Sequence, residues 1–144
     1  CIKEGEKVWN VFIDIYSIND DGNILDAAGI GAIAALKTAK IPKYDEKEGK
    51  VLFGELTTKS IPLSKETPIS ITVYKVGDNF LVDPNREEED VAETKVTIGR
   101  VGEFISSMQK GEVKSLKIEE FHHALEMSEK VYKSVFKQLE KQIE

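Results

Sequence analysis

The pattern that most constrains this chain lies between Lys117 and Ile143. There Ile118, Phe121, Leu125, Val131, Tyr132, Val135, Leu139 and Ile143 recur at helical spacing. That period lays one apolar stripe along a helix and turns Glu126, Glu129, Lys130, Lys133, Lys137 and Glu140 to water. Such a helix gains most of its stability by packing its stripe on something else. The rest of the chain must therefore present a matching apolar surface. Glu119 and Glu120 sit in the first turn, where negative charge favours the helix dipole. His122 and His123 are adjacent, so on a helix they point about 100° apart and cannot jointly hold a metal ion.

The matching surface is a sheet. Ile69, Ile71 and Val73 alternate with Ser70, Thr72 and Tyr74, giving a strand with one clear core face. Gly77-Asp78-Asn79 reads as a hairpin turn and Phe80-Leu81-Val82 as the returning strand, ended by Asp83-Pro84-Asn85. Glu93 to Ile98 reads as a third strand and Gly102 to Met108 as a fourth, with Lys110-Gly111 as a further turn.

The front of the chain is different. Over Val8 to Ile18, Trp9, Val11, Ile13 and Ile15 form one apolar set while Asn10, Asp14 and Tyr16 dilute the other, which predicts a strand buried on one face. Asp14 in its middle reads as a hydrogen-bonded structural carboxylate. Asn19-Asp20-Asp21-Gly22-Asn23 is a turn. Asp26 then stands where a helix N-cap belongs, with the helix running from Ala27 to Ala39 and stopped by Pro42. Gly29 and Gly31 inside it cost up to about 1 kcal/mol each relative to alanine, so the expectation is a tight helix pressed against a neighbouring backbone. Gly29-Ile30-Gly31-Ala32-Ile33-Ala34 matches G-x-G-x-x-A, but that fingerprint needs its glycines in the turn straight after a strand. Here they lie a turn inside a helix. Nucleotide binding is therefore the weakest of the readings. Lys43 to Thr67 is polar and turn-rich, with one short strand at Val51-Leu52-Phe53, and reads as a boundary between two substructures.

Composition limits the function classes. The 144 residues suit one ordinary domain, and 40% hydrophobic with 32% charged residues is a soluble, globular balance. No apolar run approaches the roughly 18 residues that span a bilayer. Cys1-Ile2-Lys3-Glu4 is too charged for a signal peptide and too near a cut end to read as a site. A lone cysteine cannot form an internal disulfide, which suits a reducing, cytoplasmic setting. The net charge is −6 and Arg86 and Arg100 are the only arginines. A protein that binds nucleic acid alone usually shows a basic face, and none is legible here. If RNA is a partner, most phosphate contacts come from other chains or from an upstream segment.

Two ordered sets of motifs carry a resemblance. The first is Val8-Trp9, the strand with Asp14, the turn Asn19-Asp20-Asp21-Gly22-Asn23, and Asp26-Ala27-Ala28 opening a small-residue helix that ends in Ala35-Leu36. The second is Val82-Asp83-Pro84-Asn85 followed by Glu88, Glu89, Ala92 and Glu93. Together they resemble the RNase PH family, whose second subdomain carries V-D-x-N-x-x-E-D-x-x-A-E-x-D-M at this place. The resemblance implies an α+β fold of RNase PH type. Residues 1–66 would end a first subdomain resembling ribosomal protein S5 domain 2, and residues 67–144 would form the RNase PH C-terminal subdomain. A small mixed or antiparallel sheet would be packed by the tight Ala/Gly helix and the long C-terminal helix.

The family uses inorganic phosphate to release nucleoside diphosphates from an RNA 3′ end. That chemistry needs an acid or an acid-held divalent metal at the leaving oxygen. Catalytic members place an aspartate two residues after the A-E pair, and here that position is Lys95. An ammonium repels a metal ion. Lys95 with the acidic run Glu87 to Asp90 and the Asp83-Pro84 pair therefore resembles the non-catalytic ring subunits of the archaeal exosome within this family. The resemblance implies no catalytic residue, no cofactor and no bound metal in this chain. It implies pairing with a catalytic RNase PH-like subunit in an alternating hexameric ring, contact with RNA through the assembled complex, and cap proteins on that ring. Glu88, Glu89, Asp90 and Glu93 then read mainly as surface or interface carboxylates. The alternative is an active phosphorolytic 3′-to-5′ exoribonuclease using Glu93 or Glu89 in place of the missing aspartate. A small-molecule binding module unrelated to RNA is the third reading.

Overall fold

In a computed structural model of the protein, residues 1–143 are described; Glu144 and the side chain of Ile143, the last member of the expected stripe, lie outside the described residues. The elements in chain order are α1 (Ile24–Thr38), β1 (Lys40–Asp45), β2 (Lys50–Ser60), β3 (Ile69–Val76), β4 (Asn79–Val82), α2 (Arg86–Asp90), β5 (Thr94–Val101), β6 (Phe104–Gly111) and α3 (Ile118–Ile143). β3 to β6 form one antiparallel sheet in the order β4-β3-β5-β6, and β1 with β2 forms a separate hairpin.

The core sits between the four-stranded sheet and α3. The register sets Ile71 opposite Ile98 and Val73 opposite Val96. All four side chains are buried, and each contributes roughly 1.5–3 kcal/mol by leaving water. α3 lays Tyr132 and Leu139 on Ile69 and Ile71, and α1 adds Ile30 and Ile33 at the margin. Polar pins fix the angle of α3. Tyr132 Oη accepts from Gly102 N–H at 2.8 Å and donates to Thr67 C=O at 3.3 Å. Arg100 is buried, donating to Ser128 Oγ at 3.0 Å and to the Leu125 carbonyl at 3.3 Å. Lys75 reaches Glu120 at 3.4 Å.

Several sequence expectations are corrected. Val8–Ile18 is not a strand, and Val8, Val11, Phe12, Ile13, Ile15, Tyr16 and Ile18 are exposed. A strand needs a neighbour to bond with, and among the described residues none is paired with this segment. Asp14 is exposed with it. The polar Lys43–Thr67 stretch is largely the β1–β2 hairpin: Val51-Leu52-Phe53 is the start of an eleven-residue strand, and Pro42 lies in β1 at a register irregularity rather than stopping a helix. Lys110-Gly111 ends β6, and the chain turns at Glu112, which has a φ of 63°.

The cap of α1 also moves. The helix begins after Asn23, held left-handed at φ 49°, and Asp26 lies in the first turn. Gly29 and Gly31 face open space, with nothing within 4 Å of where a Cβ would stand, so close backbone approach does not explain them. The glycine that does meet a backbone is Gly22, at φ 90°, where a Cβ would collide with the Pro84 carbonyl oxygen. No helix among the described residues is long and apolar enough to cross a membrane.

Candidate functional site

The alternation that sends Ile71 and Val73 toward α3 sends Thr72 and Tyr74 to the opposite face. The register places Thr97 beside Thr72 and Lys95 beside Tyr74 on that face. α2 and the start of α1 close over it. α2 exists because Asn85 and Glu88 form a reciprocal capping box: the Asn85 side chain accepts from Glu88 N–H at 2.9 Å, and Glu88 Oε2 accepts from Asn85 N–H at 3.0 Å. That short helix aims Glu89 inward.

Glu89 is the hub. Its Oε2 accepts from Asn23 N–H at 3.0 Å and its Oε1 from Tyr74 Oη at 3.0 Å. Lys95 Nζ lies 3.6 Å from Glu89 Oε1, 3.5 Å from Glu112 Oε1 and 5.5 Å from the Tyr74 ring centroid. Gly111 opposite Lys95 makes room for its stem, since a Cβ there would lie 3.1 Å from Lys95 Cγ and Cε. Asn23 Nδ2 donates to Asp83 Oδ1 at 3.3 Å, tying the same corner to the end of β4.

Burial pushes the Glu89 carboxyl up, but the Asn23 N–H, the Tyr74 hydroxyl and the Lys95 charge outweigh it and hold the group below its usual range. Burial and the adjoining Glu89 carboxylate push the Tyr74 phenol far up, so it stays a donor at all physiological pH.

A second carboxylate lies deeper. Asp26 Oδ2 accepts from Thr72 N–H at 2.6 Å and Oδ1 from Thr72 Oγ1 at 2.7 Å, with Thr97 Oγ1 3.0 Å beyond. β4 pairs with β3 only from Val73 onward, so it supplies no partner for Thr72 N–H, and Asp26 fills that role. Burial raises the Asp26 pKa against those hydrogen bonds.

The sequence-singled residues therefore separate. Lys95 and Glu89 come together on the polar face. Glu89 is not a simple surface carboxylate: its side chain is 20% exposed and its oxygens are engaged. The other three do local work: Glu88 caps α2, Asp90 meets Arg86 at 3.2 Å, and Glu93 meets Lys114 at 2.9 Å. Sequence reasoning missed Tyr74, Asn23 and Glu112 as members of the cluster. The available signals were weak ones: an aromatic on the polar side of an alternating strand, and an Asn in a turn.

The carboxylates of the cluster are already engaged by protein donors. No group of three or more metal-ligating side chains occurs among the described residues. Asp26 and Glu89 spend both oxygens on protein donors, and the Lys95 ammonium lies beside Glu89. Gly29–Ala34 lies inside α1, away from its N-terminus, and builds no phosphate cradle.

Two family models match the chain: 3′ exoribonuclease family, domain 1, over residues 1–42, and 3′ exoribonuclease family, domain 2, over residues 66–131. The chain belongs to the RNase PH family. Its relatives include the exosome complex component Rrp42 of Thermococcus onnurineus, 47% identical over 88% of this chain and 47% of that protein. The Rrp42 component of Methanosarcina acetivorans is 42% identical over 89% of this chain and 46% of that protein. Among solved structures, an archaeal exosome core chain superposes with a TM-score of 0.80 at 36% identity, covering 96% of this chain and 53% of that one. A chain of the Archaeoglobus fulgidus exosome with RNA bound to the active site gives 0.68 at 33% identity, covering 84% of this chain and 45% of that one. The chain thus spans about half the length of the curated relatives it matches. The RNase PH-like α+β fold, with its antiparallel sheet and long closing helix, agrees with these likenesses.

Proposed function

We propose that this chain acts as a non-catalytic component of an exosome core ring, supporting 3′-to-5′ phosphorolysis of RNA that a paired RNase PH-like subunit carries out. Residues 1–66 end the first subdomain of such a subunit and residues 67–144 form its second. Its setting is the cytoplasm, its neighbours are the catalytic subunit in an alternating hexamer and the ring's cap proteins, and RNA reaches it through the assembled complex. The observation that carries the reading is Lys95. Its ammonium lies between Glu89 and Glu112, above the Tyr74 ring; the resemblance implies that catalytic members of the family carry an aspartate at this point of the motif. The negative charge of the chain, −6, suits a subunit that leaves phosphate binding to its neighbours.

The test is phosphorolysis of short poly(A) with inorganic phosphate and magnesium or manganese. The chain alone is expected to release no ADP. Release that is abolished by Glu93→Gln but survives Lys95→Ala would sink the proposal and favour the active-enzyme reading. Against that alternative stand the Glu93–Lys114 ion pair and the two donors holding Glu89.

A further inference from the structure

α3 does not cover the sheet to its edge. β6 is an outer strand eight residues long, and all but its last residue are exposed; β4, the opposite edge, has four residues. An open edge presents unpaired N–H and C=O groups, and proteins usually blunt one with charge, proline or a cover. Phe104-Ile105-Ser106-Ser107-Met108-Gln109 has neither charge nor proline.

Beside this edge, on the α3 side, Val96, Met108, Leu116, Ile118 and Phe121 line a groove of roughly 520 Å³ with Lys110 and Lys117 at its rim. Ile118 is 60% exposed and Met108 46%, so the groove offers uncovered apolar surface next to unpaired backbone. Lysines elsewhere on the sheet and its loops have partners. Lys75, Lys95 and Lys114 each face a carboxylate. No ion pair among the described residues uses Lys110 or Lys117. Lys110 Nζ meets only the carbonyls of Gly111 and Glu112. Lys117 N–H donates to Glu120 Oε2 at 2.8 Å, a carboxylate that Lys75 also engages. An apolar floor rimmed by two ammonium groups that form no ion pair defines its complement: an apolar side chain with acids two residues away, on the same face of an extended backbone.

We propose that β6 and this groove receive an extended acidic-apolar segment of the RNase PH-like partner subunit, added as a further strand beside β6. Its apolar side chain fills the space between Met108 and Phe121, and its carboxylates meet Lys110 and Lys117. The inference rests on the ring-subunit reading and adds to it the surface and the chemistry of the contact.

The probe is a fluorescein-labelled decapeptide in which Glu and Val alternate at every second residue with Ser between them, so that both face the groove, read by anisotropy against the full chain, with a Lys/Val peptide of the same spacing and an oligo(A) RNA as counterparts. The acidic peptide is expected to bind saturably, to weaken about tenfold on Lys110→Glu combined with Lys117→Glu, and to slow amide exchange along Phe104–Met108. Both lysines are exposed, and circular dichroism checks that the variant keeps its fold. Equal binding of the Lys/Val peptide, preference for the RNA, or binding indifferent to the charge reversal would overturn the inference. Native mass spectrometry with an archaeal catalytic RNase PH-like subunit separates the two levels. If that subunit assembles equally with wild type and the double variant, the groove assignment falls and the ring reading stands. If it assembles with neither while the acidic peptide still binds, the ring reading falls and takes the partner assignment with it.

Discussion

Two segments of this chain carry nearly the same apolar alternation and meet opposite fates. In β3, Ile69, Ile71 and Val73 are each at most 3% exposed; in Val8–Ile18, the corresponding set is open, with Val11 55%, Ile13 49% and Ile15 58% exposed. β3 has bonded neighbours on both sides and α3 across one face, whereas no strand among the described residues pairs with Val8–Ile18. Alternation is thus a statement about which face a strand buries once it is paired. It says nothing about whether a pairing partner is present.

The largest expected effect tests that contrast directly. Ile98→Ala, at a fully buried position opposite Ile71, should cost about 3–4 kcal/mol by urea denaturation, while Phe12→Ala should change the same chain by less than about 0.5 kcal/mol. Equal losses would mean that the front segment packs as well as the sheet does.

A second contrast sets two glycines against each other. Gly22→Ala should destabilise by roughly 2 kcal/mol, because its φ of 90° is strained for alanine and its Cβ would strike Pro84. Gly31→Ala should stabilise by up to about 1 kcal/mol, since the new methyl meets open space within a helix. The pair of midpoints in thermal melts checks both signs.

A third contrast lies within the polar cluster and concerns pH. The raised pKa of Asp26 means the folded state holds that proton more tightly than the unfolded chain. Its contribution is present below the unfolded value of 3.8 and is lost as pH rises through the folded value. Glu89 is the reverse: its contribution is present above 4.5 and is lost as pH falls through its lowered folded value. Relative to wild type, Asp26→Asn should therefore gain stability as pH rises from about 3.8, and Glu89→Gln should lose it as pH rises toward about 4.5. Denaturation profiles between pH 3 and 6 read the opposed slopes. The smallest effect is local: Glu93→Gln, which removes one exposed ion pair with Lys114, should leave the denaturation midpoint unchanged.

What was legible in the residues follows local rules. The stripe from Ile118 to Leu139 announced α3, the Gly77 hairpin announced β3 and β4, and the ordered motifs around Asp83 and Glu93 announced the family. The hairpin β1–β2 was hidden because its strands alternate poorly and are mostly exposed, so pairing alone defines them. α2 was overlooked although Asn85 and Glu88 spell a capping box. Lys95 was legible as a departure from the family pattern. Its company was not, because Glu89, Tyr74, Glu112 and Asn23 come from four separate parts of the chain.

The chain's own letters therefore settled which residues turn toward the α3 side of the sheet and that an amine, Lys95, follows the Ala92-Glu93 pair by two residues, because alternation and side-chain chemistry are properties of neighbours in sequence. Folding in space alone decided that Asp26 serves Thr72 instead of capping α1, that Glu89 is gripped rather than free, and that β6 is left with an open edge. Those outcomes depend on where β4 stops and how far α3 reaches. Both are set by distances between segments far apart in sequence, and no local pattern encodes them.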